Sequence, residues 1–82
     1  MTRDEIKEAV LRALSDVAPE ADPATLRPDV DLRDQLDIDS MDSLNFVIGI
    51  DEQLHVDIPE AEWGHLQTLD QVVDYIVDET AS

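Results

Sequence analysis

Leu36-Asp37-Ile38-Asp39-Ser40-Met41-Asp42-Ser43-Leu44 is the stretch on which the fold of this chain turns. Before it lies an acidic segment punctuated by Pro19, Pro23 and Pro28; after it comes the most strongly patterned helix in the sequence. Asp39 or Ser40 can act as N-cap, a side-chain oxygen accepting one of the backbone N–H groups that lack partners in a first turn. At 100° per residue, Phe46, Val47, Ile50 and Leu54 gather on one side of the helix, with Ser43 among them. Met41, Leu44 and Ile48 form a second apolar stripe on roughly the opposite side, with Asp42, Asn45, Asp51 and Glu52 beside it. A small domain normally buries one face of a helix, so the second stripe reads either as a docking surface or as a face covered by neighbouring helices.

Working outward, Thr2 and Glu5 have the Thr-x-x-Glu spacing of a capping box. Ile6, Ala9, Val10, Ala13, Leu14 and Val17 then mark one face of a helix over about residues 3–17. The prolines forbid a long helix between Ala18 and Asp39. A structureless segment of that length is uncommon within a domain. Leu26, Val30, Leu32, Leu36 and Ile38 can pin it to the core as an ordered loop, with a helical turn over Arg33 to Leu36. The patterned helix runs from about Ser40 to Leu54 and contains Gly49, a small residue that either lets another element approach closely or is merely tolerated. Val56-Asp57-Ile58 is extended into Pro59, and Glu60 to Leu66 makes a short helix anchored by Trp63 and limited by Gly64. Thr68 and Gln71 form another capping box, and Leu69, Val72, Val73, Ile76 and Val77 give a last helix its buried stripe, with fraying near Thr80-Ala81-Ser82. The expected fold is all-α: a four-helix bundle of three main helices and a short third one, forming a single domain over residues 1–82.

Composition narrows the function. The 82 residues contain no cysteine, which excludes disulfides, a cysteine nucleophile and thiolate metal sites. Acids outnumber basic residues 21 to 5, and every basic residue (Arg3, Lys7, Arg12, Arg27, Arg33) lies in the first 33 positions. Such a field repels nucleic acid and anionic membranes and steers basic surfaces toward the region after Ser40. Met1-Thr2-Arg3-Asp4-Glu5 is no signal peptide and no apolar run reaches membrane-spanning length, so a monomeric cytoplasmic protein without membrane insertion is expected.

Catalytic and metal motifs fail on inspection. No nucleophile-elbow glycines flank Ser40, and His55 and His65 lack the spacing of a common metal motif. A hydrolase built on Ser40 is therefore not expected. An EF-hand register starting at Asp29 puts Arg33 at position five, Asp34 where glycine is needed and Ser40 at position twelve; one starting at Asp37 puts Met41 at position five. No metal site is expected.

Asp39-Ser40-Met41 with Asp42, ahead of an apolar helix ending in Asp51-Glu52, resembles the Asp-Ser-Leu signature of acyl carrier proteins. Val56-Asp57-Ile58-Pro59-Glu60 resembles their link to a short third helix, and Thr68-Leu69 through Tyr75-Ile76 their last one, so the resemblance spans essentially the whole chain. It implies a non-catalytic carrier on which a phosphopantetheinyl transferase attaches 4′-phosphopantetheine, derived from coenzyme A, to Ser40, with Asp39 and Met41 as signature neighbours. Acyl or aminoacyl groups would ride as thioesters on the arm's thiol, which explains how a chain without cysteine handles thioester chemistry. Met41, Asp42, Leu44, Asn45, Ile48, Asp51 and Glu52 would meet the basic patches of acyl-loading and acyl-transfer enzymes. Ser43, directed toward the core, is a poor second candidate for attachment. Asn45, Asp37-Ile38 and Trp63 depart from many carriers of fatty-acid synthesis and point to a specialised, stand-alone carrier. An aminoacyl or peptidyl carrier, and an unmodified acidic interaction module, stand as alternatives.

Overall fold

Side-chain caps set the ends of the helices. In the computed structural model, which describes residues 2–81, α1 spans Arg3–Val17 behind the Thr2 cap. Thr2 Oγ1 accepts the Glu5 N–H at 3.2 Å, and Glu5 Oε1 accepts the Thr2 N–H at 3.1 Å, a complete capping box. A single turn, α2, covers Leu32–Gln35, one residue earlier than the pattern places it, because the Asp31 carboxylate caps it by accepting the Arg33 N–H at 2.8 Å. The central helix α3 spans Ser40–Leu54. A 3₁₀ helix follows over Glu60–His65, and α4 occupies Leu69–Ala81 behind the Thr68–Gln71 capping box. Among the described residues there is no strand, and no helix is long and apolar enough to cross a membrane.

These elements share one core. Ile6, Val10 and Leu14 of α1, Ile50 of α3, and Leu69 and Ile76 of α4 have almost no exposed surface. α1 packs along both α3 and α4. Gly49 of α3 lies against Ala13 of α1, a close approach that the missing side chain permits. The ion pair of Arg3 with Asp74, at 2.6 Å, joins α1 to α4, but both side chains are about half exposed and solvent leaves it little weight.

The long connection from α1 to α3 is ordered in the expected manner. Leu32 and Leu36 are buried, and Leu26 and Ile38 pack on the core more loosely, whereas Val30, expected as a fifth pin, is half-buried and is held through its carbonyl by Gln35. Hydrogen bonds complete the anchoring. The Gln35 amide donates to the carbonyls of Arg27 and Val30 at 2.7 and 2.9 Å and accepts the Arg27 N–H at 2.6 Å. The Leu32 N–H donates to the Gln67 carbonyl at 2.8 Å, and the Asp70 N–H to that of Pro28 at 3.0 Å, so the connection is fastened to the start of α4.

The C-terminal end differs from the sequence expectation. Instead of fraying near Thr80, α4 continues through Ala81, and the Thr80 hydroxyl donates to the Ile76 carbonyl at 2.9 Å. This back-bonding satisfies the hydroxyl within the helix. Met1 and Ser82, which enter the readings of the two termini, lie outside the described residues.

Candidate functional site

The start of α3 is built by Asp39, not by Ser40. Asp39 is extended (φ −107°, ψ −170°), and its Oδ1 accepts the Asp42 N–H at 2.9 Å. Asp42 Oδ2 returns the contact by accepting the Asp39 N–H at 3.2 Å. The Asp39 carbonyl accepts the Ser43 N–H at 3.0 Å, which closes the first turn. Sequence reasoning left the cap open between Asp39 and Ser40, and missed the reciprocal bond because aspartate is shorter than the usual Glu or Gln at the third helical position.

This division of labour decides what Ser40 can do. As the first helical residue it is exposed, and its hydroxyl makes no hydrogen bond to any described residue. The N–H groups of Ser40 and Met41 are also without partners among the described residues, as expected of the first turn beyond a cap. A free hydroxyl therefore stands beside two free donors at the positive end of the helix dipole, an arrangement that favours an anion. Ser43, one turn further along, is half-buried and faces inward as its phase predicts.

Below Ser40 the two faces of α3 diverge as the sequence pattern predicts. Phe46, Ile50 and Leu54 are buried and Val47 is half-buried. On the outer side Met41 is 70% exposed, Leu44 44% and Ile48 45%. No described element covers this second stripe, so the reading of a helix covered on both sides is set aside. Asn45, Asp51 and Glu52 are exposed around it, and Asp42 is half-buried in the cap. Beyond Glu52, His55 closes the helix in the left-handed region (φ 57°), its N–H donating to the Asp51 carbonyl at 2.8 Å. Both His55 and His65 have exposed surfaces.

Against the inner side of α3 lies a cavity of about 180 Å³. Ser43, Phe46, Val47 and Ile50 form its helical wall, and Trp63 and Leu66 the side made by the 3₁₀ helix and its exit. The Trp63 indole N–H donates to the Ile58 carbonyl at 3.1 Å, which fixes the ring and satisfies its polar atom. Asp31, Arg33 and Gln67 add polar groups to a lining that is otherwise mostly apolar.

Comparison with known proteins places these observations in a family. The profile of the family described as "Phosphopantetheine attachment site" matches residues 8–76, a span that contains all of α3. The acyl carrier protein of Thermosynechococcus vestitus is 30% identical over the full length of both chains. That of Acidothermus cellulolyticus is 32% identical over 93% of this chain and 94% of its own, and that of Myxococcus xanthus 33% identical over 85% and 92%. The chain belongs to the acyl carrier protein family.

An acyl carrier protein works with a 4′-phosphopantetheine group and interacts with a phosphopantetheinyl transferase and with enzymes that handle acyl groups. The residues at the start of α3 fit such a group. A phosphodiester needs an accessible hydroxyl whose oxygen is not already engaged, and benefits from nearby N–H donors. The capping box leaves both in place, since the bonded carboxylate oxygens of Asp39 and Asp42 are turned to backbone N–H groups.

Proposed function

We propose that Ser40 is the residue of this acyl carrier protein that receives 4′-phosphopantetheine, and that the whole chain, residues 1–82, acts as one non-catalytic carrier domain. The observation that carries this reading is the cap: with Asp39 holding the first turn, the Ser40 hydroxyl is exposed and unengaged. In the attachment step Ser40 Oγ forms the new O–P bond while the pyrophosphate P–O bond of coenzyme A breaks. Adenosine 3′,5′-bisphosphate leaves, and the hydroxyl proton passes to a base on the transferase. When bound, the group supplies a terminal thiol that holds an acyl group as a thioester, chemistry that a chain without cysteine cannot otherwise perform.

The outer stripe of α3 is the partner surface. Met41, Leu44 and Ile48 offer an exposed apolar centre, with Asp42, Asn45, Asp51 and Glu52 around it. No lysine or arginine follows Arg33, so basic patches on a loading or transferring enzyme meet no local repulsion there. The protein acts as a cytoplasmic monomer that visits successive enzymes, and Asn45, Asp37-Ile38 and Trp63 support a specialised pathway over general fatty-acid synthesis. The cavity beneath Ser43 shelters the cargo. Its 180 Å³ exceeds the roughly 150 Å³ of an apolar protein cavity known to admit benzene, so it suits a chain of about six carbons.

The test is the intact mass after incubation with coenzyme A and a broad-specificity phosphopantetheinyl transferase. The native chain and Ser43→Ala are expected to gain one phosphopantetheine, and Ser40→Ala none. Failure of the folded native chain to gain mass, or modification of Ser40→Ala, overturns the assignment.

A further inference from the structure

Met41 is the most exposed residue of the outer stripe of α3, at 70% against 44% for Leu44 and 45% for Ile48. It belongs neither to the core nor to the half-buried side chains packed on it. The Asp-Ser-Leu signature that residues 39–41 resemble has leucine at this place. Leucine and methionine are close in volume and both apolar, so either serves an apolar contact surface. What methionine adds is a sulfur atom. That sulfur has no competitor among the described residues: the chain has no cysteine, and its second methionine, Met1, lies outside them.

A hydroperoxide oxidises a thioether that it can reach, and the product is a polar, chiral sulfoxide that reductases return to methionine. An S–O bond forms and the peroxide O–O bond breaks; the sulfur gives up two electrons, and the peroxide leaves as water with both of its protons. Little of Met41 is covered, so its sulfoxide stays solvated in the free chain and costs the fold little. The cost falls on association. Docking on Met41, Leu44 and Ile48 would take the sulfoxide oxygen out of water against an apolar partner surface, which is unfavourable without a hydrogen-bond partner. We propose that Met41 is a reversible oxidation site, at which a hydroperoxide weakens the docking of partner enzymes beside Ser40. The inference rests on the carrier reading and adds regulation to the partner surface of that reading.

The experiment treats the full chain, before any arm is attached, with hydrogen peroxide, removes the peroxide with catalase, and locates the added oxygen by peptide mass spectrometry. Treated and untreated chains are then compared as substrates of a broad-specificity phosphopantetheinyl transferase, which never meets the oxidant. Oxygen is expected on Met41, with Tm within about 3 °C of the untreated chain. The kcat/KM for arm attachment should fall by about five- to fiftyfold, through KM more than kcat, as when a polar group is buried without a partner. Methionine sulfoxide reductases for both epimers, supplied with a dithiol, should restore the rate. Met41→Leu, whatever its own starting rate, should give the same kcat/KM before and after peroxide; because it keeps Met1, it also isolates the effect to Met41.

Absence of oxygen from Met41, an oxidised chain modified at the untreated rate, a rate that the reductases do not restore, or an equal loss in Met41→Leu each overturns the proposal and leaves the carrier function untouched. A fall in Tm large enough to account for the lost rate overturns it as well, since the effect then runs through the fold. If the untreated chain gains no arm at Ser40, the carrier reading itself falls, and that control tells the two failures apart.

Discussion

A methyl group on Gly49 of α3 would stand 3.2 Å from the Ala13 Cβ of α1. Both residues are small, and they lie where the helix that bears the candidate site packs on α1. In an exposed helix, Gly→Ala would gain about 1 kcal/mol. Here the added methyl meets an atom fixed to the backbone of α1, and overpacking of that kind costs about 1–3 kcal/mol. Gly49→Ala should therefore be neutral to destabilising by up to about 2 kcal/mol in urea unfolding. The double variant Ala13→Gly, Gly49→Ala should show a favourable coupling, since Ala13→Gly removes the atom that Gly49→Ala crowds.

The first turn of α3 separates two neighbours that look alike in the sequence. Asp39→Ala removes the cap bond to the Asp42 N–H and should cost about 1 kcal/mol. For a chain of this size that lowers Tm by roughly 4–8 °C. Ser40→Ala should stay within about 0.5 kcal/mol of the native protein, because its hydroxyl caps nothing. Thermal unfolding of both variants checks the assignment independently of any modification.

Gln35 holds the long connection by three hydrogen bonds to Arg27 and Val30. Gln35→Ala should destabilise the protein by about 1–2 kcal/mol, as expected when a polar clamp leaves backbone groups without their partners. Hydrogen exchange should accelerate at the Arg27 amide, with the amides of α1 changing only through the global loss of stability.

Glu5 titrates below the ordinary glutamate range, first because the Thr2 N–H bonds its carboxylate and second because of the Thr2 side chain. The folded value lies under the unfolded one. Its contribution to stability is therefore complete above the unfolded value and is lost as pH falls through the folded value. A side-chain NMR titration should give a midpoint for Glu5 below the ordinary glutamate value. In Thr2→Ala the midpoint should move upward.

Most of the fold was legible because this chain states its helices in local chemistry. Thr2 with Glu5, and Thr68 with Gln71, mark helix starts by hydroxyl and carboxamide spacing, and apolar periods of three and four carry the rest. The exposed stripe of α3 was legible for the same reason: Met41, Leu44 and Ile48 stay out of phase with Phe46, Ile50 and Leu54 throughout the helix. The choice of Asp39 over Ser40 as cap was not, because both residue types cap well and only backbone geometry separates them. Nor was the cavity. Its walls combine Arg33, Ser43 and Trp63, which are brought together by tertiary packing and not by any period along the chain. His55 in the left-handed region was missed too, since a position of that kind is more often signalled by glycine.

The helix that carries Ser40 is also a wall with nothing behind it. Met41, Leu44 and Ile48 stand exposed on its outer side; its inner residues line the cavity, and the two surfaces are separated by a single helix diameter of about 10 Å. Val47 and Ile48 are consecutive residues that face opposite sides of that wall. A tilt or shift of α3 induced from outside must therefore alter the space inside. Thermodynamic reciprocity then applies: whatever factor an attached enzyme imposes on cargo retention, the cargo imposes on the enzyme's affinity. A loaded and an empty carrier would differ to their partners without any change in the residues they display.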